Sequence, residues 1–213
     1  MASLSPRKAA AVLVALAATV TLGGATTASA GTDHATSRQQ PELASVKGAA
    51  SFMLPFFPDD DVRSFTFDAQ AAPYSKPLPG VPTGLPTDAR GTVKVSHYFA
   101  KTGVTATAEG TVDCLVTGPR TATLTAVITK VGPGGPDWVG MRLGFSVLDG
   151  GKDKGTSKDR VGFSWAVANM VPHGDKEPTS AEVGTCMAPA PYAPVTKGGY
   201  TVEHAELPVM PKR

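Results

Sequence analysis

Side chains able to do chemistry are sparse in this chain, and the densest group is the acidic run Asp59, Asp60 and Asp61. Consecutive carboxylates in a loop offer hard oxygen ligands to calcium, with Asp68 or Asp88 close by in sequence. The spaced acidic pattern and closing Glu of an EF-hand are missing, so the run equally fits a solvated turn ahead of a strand, with Arg63 as neighbour. His97 lies in the strand-like run Gly91 to Ala100. An imidazole there can act as a general base, ligate a metal, or sit in a core with one satisfied hydrogen bond. Alternation places it beside Val95 and Phe99 and turns Ser96 to the opposite face, so that hydroxyl cannot pair with the ring. Gly162-Phe163-Ser164-Trp165-Ala166 ends in Ala where a nucleophile elbow needs Gly, and it lies in a strand pattern. No phosphate loop or dinucleotide fingerprint occurs. A carboxylate pair for glycoside hydrolysis stays open, because its spacing is spatial rather than sequential. Tyr74 and Tyr192 lie in Pro-rich loops, where they either stack on a sugar or peptide or anchor the loop.

The two cysteines are Cys114 and Cys186. No C-x-x-C or H-E-x-x-H spacing accompanies them, which disfavours a metal site. Residues 1–30 read as an export signal: Arg7 and Lys8, an uncharged apolar run from Ala9 to Ala25, then Ala28-Ser29-Ala30 for cleavage. The expected protein is therefore secreted and extracellular, and its cysteines are most simply one disulfide, Cys114–Cys186. Cleavage removes two of 20 Lys+Arg and none of 18 Asp+Glu, so the mature chain carries 18 against 18. Zero net charge gives no support to nucleic-acid or anionic-membrane binding. No second hydrophobic span is found after the signal, so no membrane span is expected once it is removed.

The elements that must position these residues are strands. Gly91 to Ala100, Val104 to Thr117 and Thr121 to Val131 alternate and are rich in branched side chains, which suit a pleated surface. Gly103 marks a turn between the first two, and Gly110 marks a bulge or bend in the second. Val104, Ala106, Ala108, Val112 and Cys114 are expected on one face. Val62 to Asp68 puts Phe65 and Phe67 on one face beside Arg63. Trp138–Leu148 and Arg160–Ala168 form a pair that repeats Gly-Phe-Ser, with Phe145 expected opposite Phe163. Val161, Phe163, Trp165 and Val167 are its expected inward face. Residues 49–57 read as an edge strand or a hydrophobic plug, since Pro55 and Pro58 exclude a central strand. Residues 70–90 and 171–197 read as long Pro-rich loops, the first packed loosely over the sheet, and Gly199–Ala205 as a last short strand. The expected fold is all-β: a single antiparallel barrel or sandwich of about seven or eight strands. Its parts are a signal at 1–30, a flexible arm at 31–48, the domain at 49–205 and a tail at 206–213.

Asp60 to Ala69, Gly91 to His97, Val112 to Gly118, Trp138-Val139-Gly140 and Asp159 to Trp165 together resemble small exported actinobacterial proteins sometimes labelled repetin-like. The resemblance spans about residues 52–202 and implies a secreted β-domain. It implies no activity and transfers no site residue.

Three functions are expected of such a chain. The first is a non-catalytic binding or envelope-associated module whose partner is a small molecule, a cell-envelope component or a secreted protein. Its pocket would lie behind Phe145, Phe163 and Trp165, with His97. The second is an extracellular hydrolase using Asp carboxylates, and the third a protease inhibitor presenting a loop near Cys186. No cofactor is expected beyond calcium at Asp59, Asp60 and Asp61.

Overall fold

Ten strands form where branched and alternating residues run, and no helix occurs among the described residues, 43–151 and 158–211 of a computed structural model. The expected signal, the arm up to residue 42 and the hairpin tip at 152–157 lie outside the described residues. The strands are β1 (Ser45–Phe52), β2 (Val62–Ala71), β3 (Ala89–Phe99), β4 (Val104–Gly118), β5 (Thr121–Val131), β6 (Arg142–Leu148), β7 (Arg160–Phe163), β8 (Met170–His173), β9 (Lys176–Ser180) and β10 (Ala193–Glu203). Eight of them close a barrel, running β1 to β7 in sequence, then β10, which pairs back with β1. Every neighbour is antiparallel. Closure removes the free edges that an open sheet would expose. β8 and β9 form a separate hairpin.

An eight-stranded barrel is just wide enough inside to be filled by side chains. Here the filling is aromatic: Phe52, Phe65, Phe67, Phe145 and Phe163 are each essentially inaccessible. Phe65 lies at the centre, edge-on to Phe52 at 4.9 Å, Phe145 at 5.3 Å and Phe163 at 5.5 Å. Edge-to-face contacts suit the aromatic quadrupole and add about 0.5–1.5 kcal/mol per pair beyond burial. Phe145 and Phe163 face each other across β6 and β7, as the repeated triplet predicts.

Two irregularities interrupt the β4–β5 ladder. One falls at the Glu109–Gly110 step, where the extra residue is Thr129 of β5, so the bulge lies opposite the glycine rather than in its own strand. The other falls at Asp113 and changes the facing of the residues beyond it. Val112 pairs with inward Ala126, whereas Cys114 pairs with Thr125 on the outer wall. The expectation that Cys114 shares the face of Val112 is thus corrected: one extra residue shifts the period-two alternation.

The Cys114–Cys186 disulfide is present, with Cα atoms 5.4 Å apart. It pins the segment 181–192 as a strap on the outside of β6 and β7. The Gly-Phe-Ser repeat explains how the strap fits. A Cβ on Gly144 would lie 2.0 Å from the Met187 carbonyl oxygen, and one on Gly162 would lie 2.6 Å from that of Ala190. The glycines leave bare wall for the strap, the phenylalanines plug the interior, and the serines bond. Ser146 Oγ donates to the Pro189 carbonyl at 2.6 Å, and Ser164 Oγ accepts the Gly144 N–H at 2.9 Å. Bulged Asp113 accepts from Thr125 Oγ1 at 2.5 Å and from Arg142 Nε at 2.7 Å. Arg142 Nη1 then reaches the Val183 carbonyl at 3.3 Å.

Several expectations about extent are overturned. β1 begins at Ser45, inside the stretch read as an arm, and it is no edge: β10 and β2 flank it. Pro55 and Pro58 fall just after it, in the turn to β2. β7 stops at Phe163, because Ala166 and Asn169 take φ of 68° and 58°, outside the β region. Val167 is therefore exposed rather than inward. The segment read as a second long loop contains β8, β9 and the start of β10. The loop at 72–88 is tied down rather than loose. Buried Asp88 accepts the N–H groups of Lys76 at 2.8 Å and Leu85 at 3.0 Å, and Lys76 Nζ donates to the Val112 carbonyl at 2.9 Å.

The seam between β7 and β10 is narrow, with two residue pairs. Beyond them carboxylates replace the missing ladder. Asp159 accepts the Tyr200 N–H at 2.7 Å and Asp149 accepts the Val202 N–H at 3.2 Å.

Candidate binding site at one mouth of the barrel

β2 and β3 are joined in register with Arg63 opposite His97, Phe65 opposite Val95 and Phe67 opposite Val93. The inward row of β2 therefore reads Phe67, Phe65, Arg63 towards one mouth, so a guanidinium sits directly above the aromatic plug. At that mouth the barrel opens into a cup of about 450 Å³. Small-molecule sites range over roughly 300–1,000 Å³ and are mostly apolar with few polar groups. Phe65 lies at the base of this cup, and Val95, Phe99, Ala106, Ala108, Pro136, Trp138 and Trp165 line it. Trp165 lies 5.6 Å from Phe65 and 5.4 Å from Trp138, centroid to centroid.

The polar end is a linked set of charges. The Arg63 side chain is 8% exposed and forms a close ion pair with Asp59. Its hydrogen bonds hold the Asp59 carboxyl below the usual carboxylate range, against the opposing effect of burial. His97 Nε2 lies 2.7 Å from Asp61 Oδ2, and Asp61 Oδ1 accepts the Ala100 N–H at 2.9 Å. Phe99 stacks on the His97 ring with centroids 4.0 Å apart. No hydroxyl or thiol bonds to His97 among the described residues.

The residues expected to carry function separate into four places. His97 and Trp165 line the cup. Phe145 and Phe163 are not among its lining residues; they lie buried in the plug beneath it. Asp59 and Asp61 come together with His97, one ligating atom from each lying within 4.8 Å of the others. Asp60 is outside that group and exposed. Arg63 already brings to Asp59 the positive charge that calcium would bring. Cys186 is held on the outer wall by the disulfide and by its N–H, donated to Thr125 Oγ1 at 3.2 Å, with Thr185 and Met187 exposed on either side. Tyr74 and Tyr192 are anchors, bonding the carbonyls of Pro208 at 2.8 Å and Phe163 at 3.3 Å. Burial pushes the Tyr192 hydroxyl far above its ordinary range, which keeps it a neutral donor.

Arg63, the Asp61–His97 pair and Trp138 were not singled out as a site from the sequence. A signal existed for the first: a charge in line with Phe65 and Phe67 on an apolar face. The second needs the β2–β3 register, which a long intervening loop hides.

Fold and site together define an up-and-down antiparallel barrel with a filled interior and a ligand-sized cup at one mouth. Comparison with protein-family models, with curated proteins and with solved structures finds no match.

Proposed function

We propose that this protein is a secreted, non-catalytic binding module that takes a small, mainly apolar molecule in the cup. One observation carries the reading: the cup is walled by apolar side chains, and both tryptophans of the chain line it. Aromatic walls supply large rigid contact area at little conformational cost. The export signal at 1–30 and the disulfide support an extracellular place of action.

The two tryptophans make the test direct. The full mature protein is titrated with 2-isopropenylnaphthalene, an uncharged aromatic probe, and tryptophan fluorescence is read. Saturable one-site quenching is expected. Ala106→Phe places a ring in the cup from its wall, away from the aromatic plug, and is expected to abolish the quenching without lowering the melting temperature. The absence of saturable quenching in the wild type, or quenching undiminished by Ala106→Phe, overturns the reading.

A further inference from the structure

Resting on the reading of the cup as a binding site, we infer that its ligand is uncharged and carries a carbonyl oxygen, which Arg63 receives through its Nε–H. Arg63 Nη1 donates to Asp59 Oδ1 at 3.4 Å and to the Asp61 carbonyl at 3.3 Å, and Nη2 donates to Asp59 Oδ2. These bonds leave the Nε–H without a partner among the described residues. The side chain is more than nine-tenths buried, and it lines the cup. A guanidinium stays protonated, so this donor cannot be removed by titration. No fully buried side-chain nitrogen lacks a partner among the described residues, so the Nε–H keeps some access to solvent, on a side chain that lines the cup. A ligand that displaces water from this donor loses free energy unless it accepts the hydrogen bond itself.

Asp61 accepts from the Ala100 N–H and faces Nε2, so Nε2 carries the ring proton and donates it. Nδ1 has no partner among the described residues. Arg63 and His97 are direct partners across the ladder, so the polar end places the guanidinium beside the imidazole.

Charge decides what kind of oxygen fits. Arg63 contributes one positive charge, and Asp59 and Asp61 contribute two negative charges. Together with His97, whatever its proton count, these groups leave the cluster no net positive charge to draw an anion. A carboxylate ligand would add like charge to a desolvated site whose cation is already paired, which is strongly disfavoured. A cationic head would meet the N–H edge of the guanidinium. A neutral carbonyl meets neither penalty.

Three probes sharing one naphthalene body test this on the full mature protein at neutral pH. They are 2-acetylnaphthalene, its carbonyl-free counterpart 2-isopropenylnaphthalene, and the anion 2-naphthoate. Affinity is read from tryptophan quenching. A hydrogen bond from a charged donor predicts that the acetyl probe binds roughly tenfold or more tighter than the isopropenyl probe. The naphthoate is expected to bind weaker than the acetyl probe by a similar factor. Arg63→Lys keeps a cation beside Asp59 and removes the Nε–H. It is expected to shrink the acetyl preference, read as the ratio of acetyl to isopropenyl affinity within that variant, to about threefold or less. A thermal melt reports whether that variant folds, and the wild-type series decides the matter if it does not. Equal binding of acetyl and isopropenyl probes to the wild type, or tightest binding of naphthoate, overturns the inference and leaves the cup reading standing. Failure of all three probes to bind removes both.

Discussion

Cutting the single disulfide gives the sharpest quantitative test of how the outer strap and the barrel depend on each other. The perturbation is the double variant Cys114→Ala, Cys186→Ala. The bond spans a sequence separation of 72 and encloses everything from β5 to β9. Putting 72 into the chain-entropy relation gives about 4.4 kcal/mol of unfolded-state constraint at 25 °C. The native side changes less, since the strap keeps its bonds from Ser146 to Pro189 and from Arg142 to Val183. The expected loss is therefore about 3–4.5 kcal/mol, within the range of about 2–5 kcal/mol for native disulfides. Urea unfolding measures it, and the dependence on urea should steepen, because the uncrosslinked chain exposes more surface when unfolded. Hydrogen exchange on the folded variant should lose protection first in residues 181–190. A loss of under about 1 kcal/mol with an unchanged urea slope refutes the reasoning.

The acid limb of stability should report Asp59. Its folded carboxyl is held below the ordinary value of 3.8, chiefly by hydrogen bonds from Arg63, so its contribution is complete above that value and is lost as pH falls through the folded one. Melting temperatures taken across the acid range should fall less steeply for Asp59→Asn than for the wild type, and parallel profiles would sink the assignment. Gly144→Ala drives a Cβ onto the Met187 carbonyl at 2.0 Å and should cost about 1–3 kcal/mol, with faster proteolysis at the strap. A fully stable, protease-resistant Gly144→Ala would show that the strap does not press on β6.

Much of the architecture was readable because alternation is a local property. β3, β4 and β5 carry it openly, and the Phe145–Phe163 pairing comes from a repeated triplet around one hairpin. β1 was hidden because Lys47 and Gly48 blur its pattern, although Gly48 lies opposite Phe67 and Tyr200 where the interior is crowded. The facing of Cys114 was lost at Asp113, since nothing in an aspartate announces a bulge. The aromatic residues were readable as apolar and inward. Whether they wall a cavity or fill it depends on barrel diameter, which composition does not express. The Arg63–Asp59 pair is nearly local, whereas Asp61 and His97 meet only through strand register.

Strand β10 lies between β1 and β7, so the last strand of the described chain joins the first. During synthesis or export the chain emerges from its N-terminal end. Until Glu203 is out, β1 and β7 both remain open edges, and the ring of strands cannot be completed. Native assembly is then necessarily a late event. A nascent chain halted anywhere before Ala193 exposes two unpaired rims to solvent and to any neighbouring strand.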